Sequence, residues 1–231
     1  MIVVFGAPGS GKTTQVLKLA KSLQHVQCEV EPTDGVQELV ADMYAGKPSA
    51  AFNLQMHVLK QRSKVYYEHQ KQRDKLLIVD GHINSDYLMF VAPHYAAGNI
   101  AGEEKKVYEE QFWGVRKVLG PDVDKIDVFI FLDANPDVTT SRIASRDSLA
   151  EANVKPAVFA DLVTRARTIP PKFVAPKVFT VDANLGEDQV HEQILAILKP
   201  LIDARHFPAV EPTSATNALD CSTLQDDALY R

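Results

Sequence analysis

Met1-Ile2-Val3-Val4-Phe5-Gly6-Ala7-Pro8-Gly9-Ser10-Gly11-Lys12-Thr13-Thr14 opens the chain. Ile2 to Phe5 form an unbroken apolar run without polar alternation, which predicts a parallel strand covered on both faces. The next eight residues fit G-x-x-x-x-G-K-[ST] at every fixed position. Val16, Leu17, Leu19, Ala20 and Leu23 then recur at helical spacing. Strand, glycine loop and helix in this order are the context the motif needs. The glycines let backbone N–H groups converge on phosphate oxygens, so Gly6, Gly9, Ser10, Gly11 and Thr14 are expected to line the cradle. Lys12 supplies a cation near the transferred group, and the Thr13 hydroxyl is suited to Mg²⁺. The expected cofactors are ATP, or another nucleoside triphosphate, and Mg²⁺. A phosphate loop alone leaves the acceptor open.

Working outward, similar apolar runs occupy Leu76 to Val79, Val128 to Leu132 and Val178 to Val181, with a fifth at Val26 to Val30. Helical patterns lie between them, near Lys12 to Gln24, Val36 to Ala45, Ala50 to Gln72, Asp86 to Ala97, Glu103 to Leu119, Pro136 to Arg146, Pro156 to Arg167 and Glu187 to Ala204. Strands alternating with helices predict an α/β fold, a three-layer α/β/α arrangement around a five-stranded parallel sheet with right-handed crossovers. In such sheets ligands sit beyond the carboxyl ends of the strands, where Gly6, Glu31, Asp80 and Asp133 would lie. After His206 the periodicity is lost among prolines, threonines and serines. The expected organisation is one domain over residues 1–205 and a disordered tail over 206–231.

With 231 residues and a formal net charge of -5, the chain lacks the cationic balance of a protein that grips a nucleic-acid backbone. No apolar run is long enough to cross a bilayer, and the first residues carry no basic leader. Cys28 and Cys221 match no metal or disulfide spacing. A cytoplasmic protein without a membrane or nucleic-acid partner is expected.

Met43-Tyr44-Ala45-Gly46-Lys47-Pro48, then Phe52-Asn53-Leu54-Gln55 and Arg62, resembles the deoxynucleoside kinase family, in its animal and its bacterial purine-directed branches. In that family a glutamate-proline pair closes the second strand, a tyrosine and a glutamine follow, and an arginine lies seven positions after the glutamine. Glu31-Pro32, Tyr44, Gln55 and Arg62 occupy those places. Asp80-Gly81-His82-Ile83-Asn84-Ser85-Asp86 with Phe90 resembles the family's acidic-Arg-Ser segment. Gly98-Asn99-Ile100, with Glu104 and Tyr108, resembles a loop and helix of the bacterial members. Arg142-Ile143-Ala144-Ser145-Arg146 with Glu151 resembles the short arginine-containing lid.

The resemblance implies transfer of the γ-phosphoryl group of ATP to the 5′-hydroxyl of a deoxynucleoside. A hydroxyl is a poor nucleophile, and a strand-end carboxylate beside the phosphate loop suits a general base, which points to Glu31. Its plain alternative is a solvated strand-end charge. Gln55 offers a donor and an acceptor to a base edge, or is a helix-surface amide. By resemblance Tyr44 and Glu151 hold the 3′-hydroxyl, and Phe90 faces the base; as core residues Tyr44 and Phe90 would only fill space. Arg62 and Asp86 stand where members taking deoxycytidine or purine deoxynucleosides carry an arginine and an aspartate. Such a pair presents hydrogen-bonding groups to an exocyclic amine, so deoxyadenosine, deoxyguanosine or deoxycytidine is expected over thymidine. The alternative is an ordinary surface ion pair. Asp80 is expected to organise Mg²⁺ with Thr13, and Arg142 and Arg146, with Lys12, to stabilise the moving phosphoryl group.

Two cations of the family pattern are absent: the arginine after the acidic residue of the third strand is Gly81, and the last lid arginine is Ser148. The tryptophan common shortly after the glutamate-proline pair is Val36. His82, beside the gap, could supply a donor, although a lone histidine at a strand end is more often polar surface. Two other functions share the phosphate loop, a thymidylate-type nucleoside monophosphate kinase and a degenerate nucleotide-binding regulatory module. The first needs an added basic site for the acceptor's phosphate, and the second sits poorly with intact Lys12, Thr13 and Glu31. By resemblance a homodimer is expected, through the helices holding Phe52, Met56 and Leu59, and Val107, Phe112 and Val115.

Overall fold

The computed structural model describes residues 1–30, 35–71, 75–145, 154–172 and 177–203. Five strands, β1 (Ile2–Gly6), β2 (Val26–Glu29), β3 (Leu76–Val79), β4 (Val128–Asp133) and β5 (Val178–Asp182), form one sheet in the order β2-β3-β1-β4-β5. Every pairing is parallel, with β1 central between β3 and β4. The helices are α1 (Lys12–Ser22), α2 (Val36–Tyr44), α3 (Ala50–Gln70), α4 (Ile83–Asp86), α5 (Ala92–Ala96), α6 (Gly102–Leu119), α7 (Pro136–Ala144), α8 (Pro156–Arg167) and α9 (Glu187–Asp203).

Side chains that alternate along a strand point to opposite faces, and this divides the core in two. Ile2, Val4, Leu76, Ile78, Val128, Ile130 and Leu132 pack beneath α1 and α9. Val3, Phe5, Leu77, Val79, Phe129 and Phe131 pack against residues of α3, α6 and α8. The second layer is aromatic at its centre, with Phe5 5.6 Å from Phe129 and 6.1 Å from Phe131 between ring centroids. The expected three-layer architecture and all five strands are therefore present. The expectation of strands covered on both faces holds for β1, β3 and β4, but β2 and β5 are only partly covered. Both lie at sheet edges, where one side has no neighbouring strand. The expected lid residues Arg146, Ser148 and Glu151, the base candidate Glu31, and residues 206–231 lie outside the described residues.

One element differs in kind. The continuous helix expected over residues 86–97 is α4, then a π-helical turn (Tyr87–Val91), then α5. Pro93 has no N–H to give the Met89 carbonyl four residues earlier. The Met89 carbonyl instead accepts from Arg165 Nη1 at 2.9 Å, and the Ala92 N–H reaches back five residues to Tyr87. A widened turn results.

α6 also corrects the residues expected for an interface between copies. Leu59 and Phe112 are buried in this chain's own core, and Phe52, Met56 and Val115 pack against it. Trp113 (62% exposed) and Val118 (73% exposed) are the large apolar side chains that α6 presents outward. No helix among the described residues is long and apolar enough to cross a membrane.

Candidate active site

The β1–α1 corner is shaped by three glycines. A Cβ on Gly6 would stand 2.8 Å from the Leu132 carbonyl oxygen, so only glycine lets the loop lie against β4. Gly9 has φ +78° and a Cβ there would meet the Thr139 carbonyl oxygen at 2.6 Å, so α7 presses directly on the loop. Gly11, φ +96°, caps α1, and a Cβ there would meet nothing within 4 Å. Lys12 Nζ donates to the Gly6 and Ala7 carbonyls at 3.0 and 3.1 Å, so the ammonium is folded over the cradle. Ser10 Oγ is buried without a hydrogen-bond partner among the described residues. A phosphate oxygen would satisfy that hydroxyl, and the loop fits a triphosphate. Thr14 lies half-buried in the first turn of α1.

At the end of β3 the two residues expected at the metal site lie together. Thr13 Oγ1 donates to Asp80 Oδ2 at 2.8 Å, bringing together two oxygens of the kind Mg²⁺ prefers. Among the described residues no group of three or more His, Cys, Asp or Glu could hold a metal. A two-oxygen protein site fits an ion that keeps most of its shell for water and phosphate.

Arg62, from the middle of α3, enters the same corner. Its Nε donates to Asp86 Oδ2 at 3.0 Å, its Nη1 to Asp80 Oδ1 at 3.2 Å and its Nη2 to the Asp80 carbonyl at 2.8 Å. The exposures are 5% for Arg62, 13% for Asp86 and 1% for Asp80. The surface-pair alternative is thereby excluded. Burial pushes the Asp86 carboxyl above the usual carboxylate range, and the Arg62 guanidinium opposes that shift.

Arg62 also bears on the missing strand-end arginine. Gly81 has φ +112°, and a Cβ there would stand 2.5 Å from Arg62 Nη2, so Arg62 takes the space a side chain would need. Arg62 holds a separate place in the pattern read from the sequence, so the gap at Gly81 has no cation of its own. His82 does not fill it, and it is not polar surface. It is fully buried, caps α4 by accepting the Asn84 N–H at Nδ1, and donates Nε2–H to the Val123 carbonyl at 2.8 Å. Burial lowers its pKa from 6.5 to about 4, which keeps the ring neutral in this tautomer. The partner that removes His82 from the site lies 41 residues along the chain, with no local signal for it.

The remaining candidates divide. Gln55 is buried on α3, two turns before Arg62 on the same helix, and Phe90 lies half-buried on the π turn. Tyr44 ends α2 and is 37% exposed. Arg142 on α7 donates Nη1 and Nη2 to the carbonyls of Ala183 and Leu185, just beyond β5. Asp133, at the end of β4, accepts from Arg167 Nε at 2.8 Å. Tyr108 is buried between Tyr95 and Phe112, and desolvation raises its pKa. Arg165, which holds the π turn open, was not expected from sequence; the only hint was Pro93 inside a helical pattern.

Comparisons with known proteins bear on the fold and the family. No curated protein matches the chain. Among solved structures, the deoxyadenosine kinase from M. mycoides with bound dATP is 24% identical, with a TM-score of 0.66 over 86% of this chain and 98% of that one. The same enzyme with bound dCTP is 22% identical, TM-score 0.67, over 87% of this chain and 100% of that one. At these identities the likeness shows the fold. The family model for deoxynucleoside kinase matches residues 2–203. With nearly the whole described chain inside that match, this protein belongs to the deoxynucleoside kinase family.

Proposed function

We propose that the protein transfers the γ-phosphoryl group of ATP to the 5′-hydroxyl of a deoxynucleoside whose base carries an exocyclic amine: deoxyadenosine, deoxyguanosine or deoxycytidine. The observation that carries this is the buried Arg62–Asp86 pair one residue contact away from Asp80 and Thr13. Asp86 can accept from an amine, and Gln55 can pair with a second position on the base edge. Thymine offers no amine to that carboxylate.

In this reaction Thr13 and Asp80 hold Mg²⁺, which when bound neutralises charge on the triphosphate. The loop N–H groups and Lys12 orient the donor phosphates. Glu31 takes the 5′-hydroxyl proton as the oxygen–phosphorus bond forms and the bond to the β-phosphate oxygen breaks, leaving ADP. Tyr44 and Glu151 hold the sugar, Phe90 packs on the base, and Arg142 and Arg146 serve the donor side. Two copies form a homodimer in the cytoplasm.

The test is to incubate the protein with ATP and Mg²⁺ and each natural deoxynucleoside and monophosphate in turn, then separate the products. Expected are the 5′-monophosphates of amine-bearing deoxynucleosides, with Glu31→Gln strongly impaired. Products only from monophosphates would show a nucleoside monophosphate kinase instead. No product from any acceptor would show a binding module. Sedimentation at the monomer mass would refute the dimer.

A further inference from the structure

Thr13, Asp80, Arg62 and Asp86 form one uninterrupted hydrogen-bonded chain from the phosphate loop to the acceptor side. The two oxygens of Asp80 are divided along it. Oδ2 accepts from Thr13, and Oδ1 accepts from Arg62. Arg62 is likewise divided, with Nε on Asp86 and both Nη groups on Asp80. A guanidinium is a rigid planar fork that does not deprotonate, so it cannot follow one carboxylate without turning its other donors against the second. Gly81 leaves the only room for it, since a Cβ there would overlap Nη2.

We propose that Arg62 is a positioning residue that couples the two halves of the site: it fixes Asp80 with Oδ2 toward Thr13, and it transmits occupancy of Asp86 to the metal and triphosphate. This rests on the kinase function proposed above. A base amine that donates to Asp86 competes for the carboxylate that holds Nε, and the fork carries the change to Asp80. By linkage, the metal–nucleotide complex must alter nucleoside affinity by the same factor that nucleoside alters the affinity for that complex. Arg62→Met cuts the chain in its middle. Asp86→Asn keeps an acceptor for Nε while removing the charge that a base amine seeks.

The experiment uses the full chain, Mn²⁺ as the metal and a non-hydrolysable ATP analogue. Free Mn²⁺ is followed by electron paramagnetic resonance with and without saturating deoxyadenosine. Deoxyadenosine binding is followed by calorimetry with and without the Mn²⁺–analogue complex. In the parent each ligand should change the other's affinity by the same factor, about fivefold or more. In Arg62→Met the factor should fall to one while the analogue still binds. Arg62→Lys should behave like Arg62→Met, because a single ammonium cannot span both carboxylates. If Arg62→Met does not fold, Arg62→Lys must show the loss of coupling, and Asp86→Asn must weaken deoxyadenosine binding with the analogue still bound. A factor near one in the parent overturns the inference, as does a parental factor retained in the Arg62 variants. Those outcomes differ from failure of the kinase function, which would be seen as absence of phosphorylated product from the parent whatever the coupling.

Discussion

Two strand-to-helix corners of this protein are built on a glycine with positive φ, and they use the space it leaves in opposite ways. At the β1–α1 corner, Gly11 faces nothing within 4 Å where a Cβ would be. The Ser10 hydroxyl of the same loop is buried without a hydrogen-bond partner among the described residues. At the β3–α4 corner, the space at Gly81 is already taken by Arg62 of the same chain. The first corner is open, and in the function proposed above it is the donor phosphates that bring its counter-charge. The second is a closed ionic knot. Positive-φ glycines at two neighbouring corners, at the carboxyl ends of adjacent parallel strands, thus leave space open in one case and filled in the other.

Adding a methyl group to each corner separates the two. Gly81→Ala should displace the guanidinium and break its bonds to Asp80, a loss of about 4 kcal/mol in unfolding free energy by denaturant titration. Gly11→Ala in ligand-free protein should cost only backbone strain, about 1 to 2 kcal/mol. Equal losses at both positions would erase the distinction. Removing the cation of the open corner, by Lys12→Ala, should lower kcat by about 10²- to 10³-fold with little change in melting temperature. A large stability loss there would mean that the ammonium is structural.

The closed corner carries its own pH dependence through His82. Its pKa is about 4 in the folded protein against the ordinary 6.5. As pH falls below 6.5 the unfolded chain takes up a proton that the folded chain refuses. The contribution is therefore fully present above 6.5 and is lost as pH falls through the window to about 4. It amounts to about 3 kcal/mol over that range. Denaturant titrations between pH 7 and 4 in metal-free buffer should show that slope in the parent and a shallower one in His82→Gln. The smallest effect belongs to the ion pairs of Lys18 with Glu187 and Asp188 at the surface. Lys18→Ala should leave the melting temperature within about 2 °C, since exposed pairs contribute little.

Much of this architecture was legible in the sequence because its causes are local. The apolar runs name all five strands, and Gly6 to Thr13 name the loop, since strand burial and tight turns depend on residues adjacent in the chain. Gln55, Arg62 and Asp86 were singled out by resemblance, and the structure joins Arg62 to Asp86. What the sequence hid depends on partners far along the chain. That Gly81 makes room for Arg62 could not be read, because Arg62 comes from α3, 19 positions earlier, and nothing near residue 81 announces it. His82 looked like polar surface because its carbonyl partner belongs to the turn before β4. The π turn needed Pro93 and Arg165 together, and only the proline could be noticed. Leu59 and Phe112 were assigned outward because a helical stripe does not say which of two apolar surfaces it meets.

The π turn over Tyr87–Val91, which follows Asp86 and contains Phe90, carries a consequence for how the acceptor pocket proposed above can change. A π turn is a helix carrying one residue more than its α-helical length requires. Deleting a single residue between Tyr87 and Val91 would return the segment to ordinary winding and rotate Phe90 relative to Asp86 by roughly 100°, one residue's share of a turn. The wall of the pocket could then be re-aimed in one step of chain length, with Arg62, Asp80 and Thr13 left untouched.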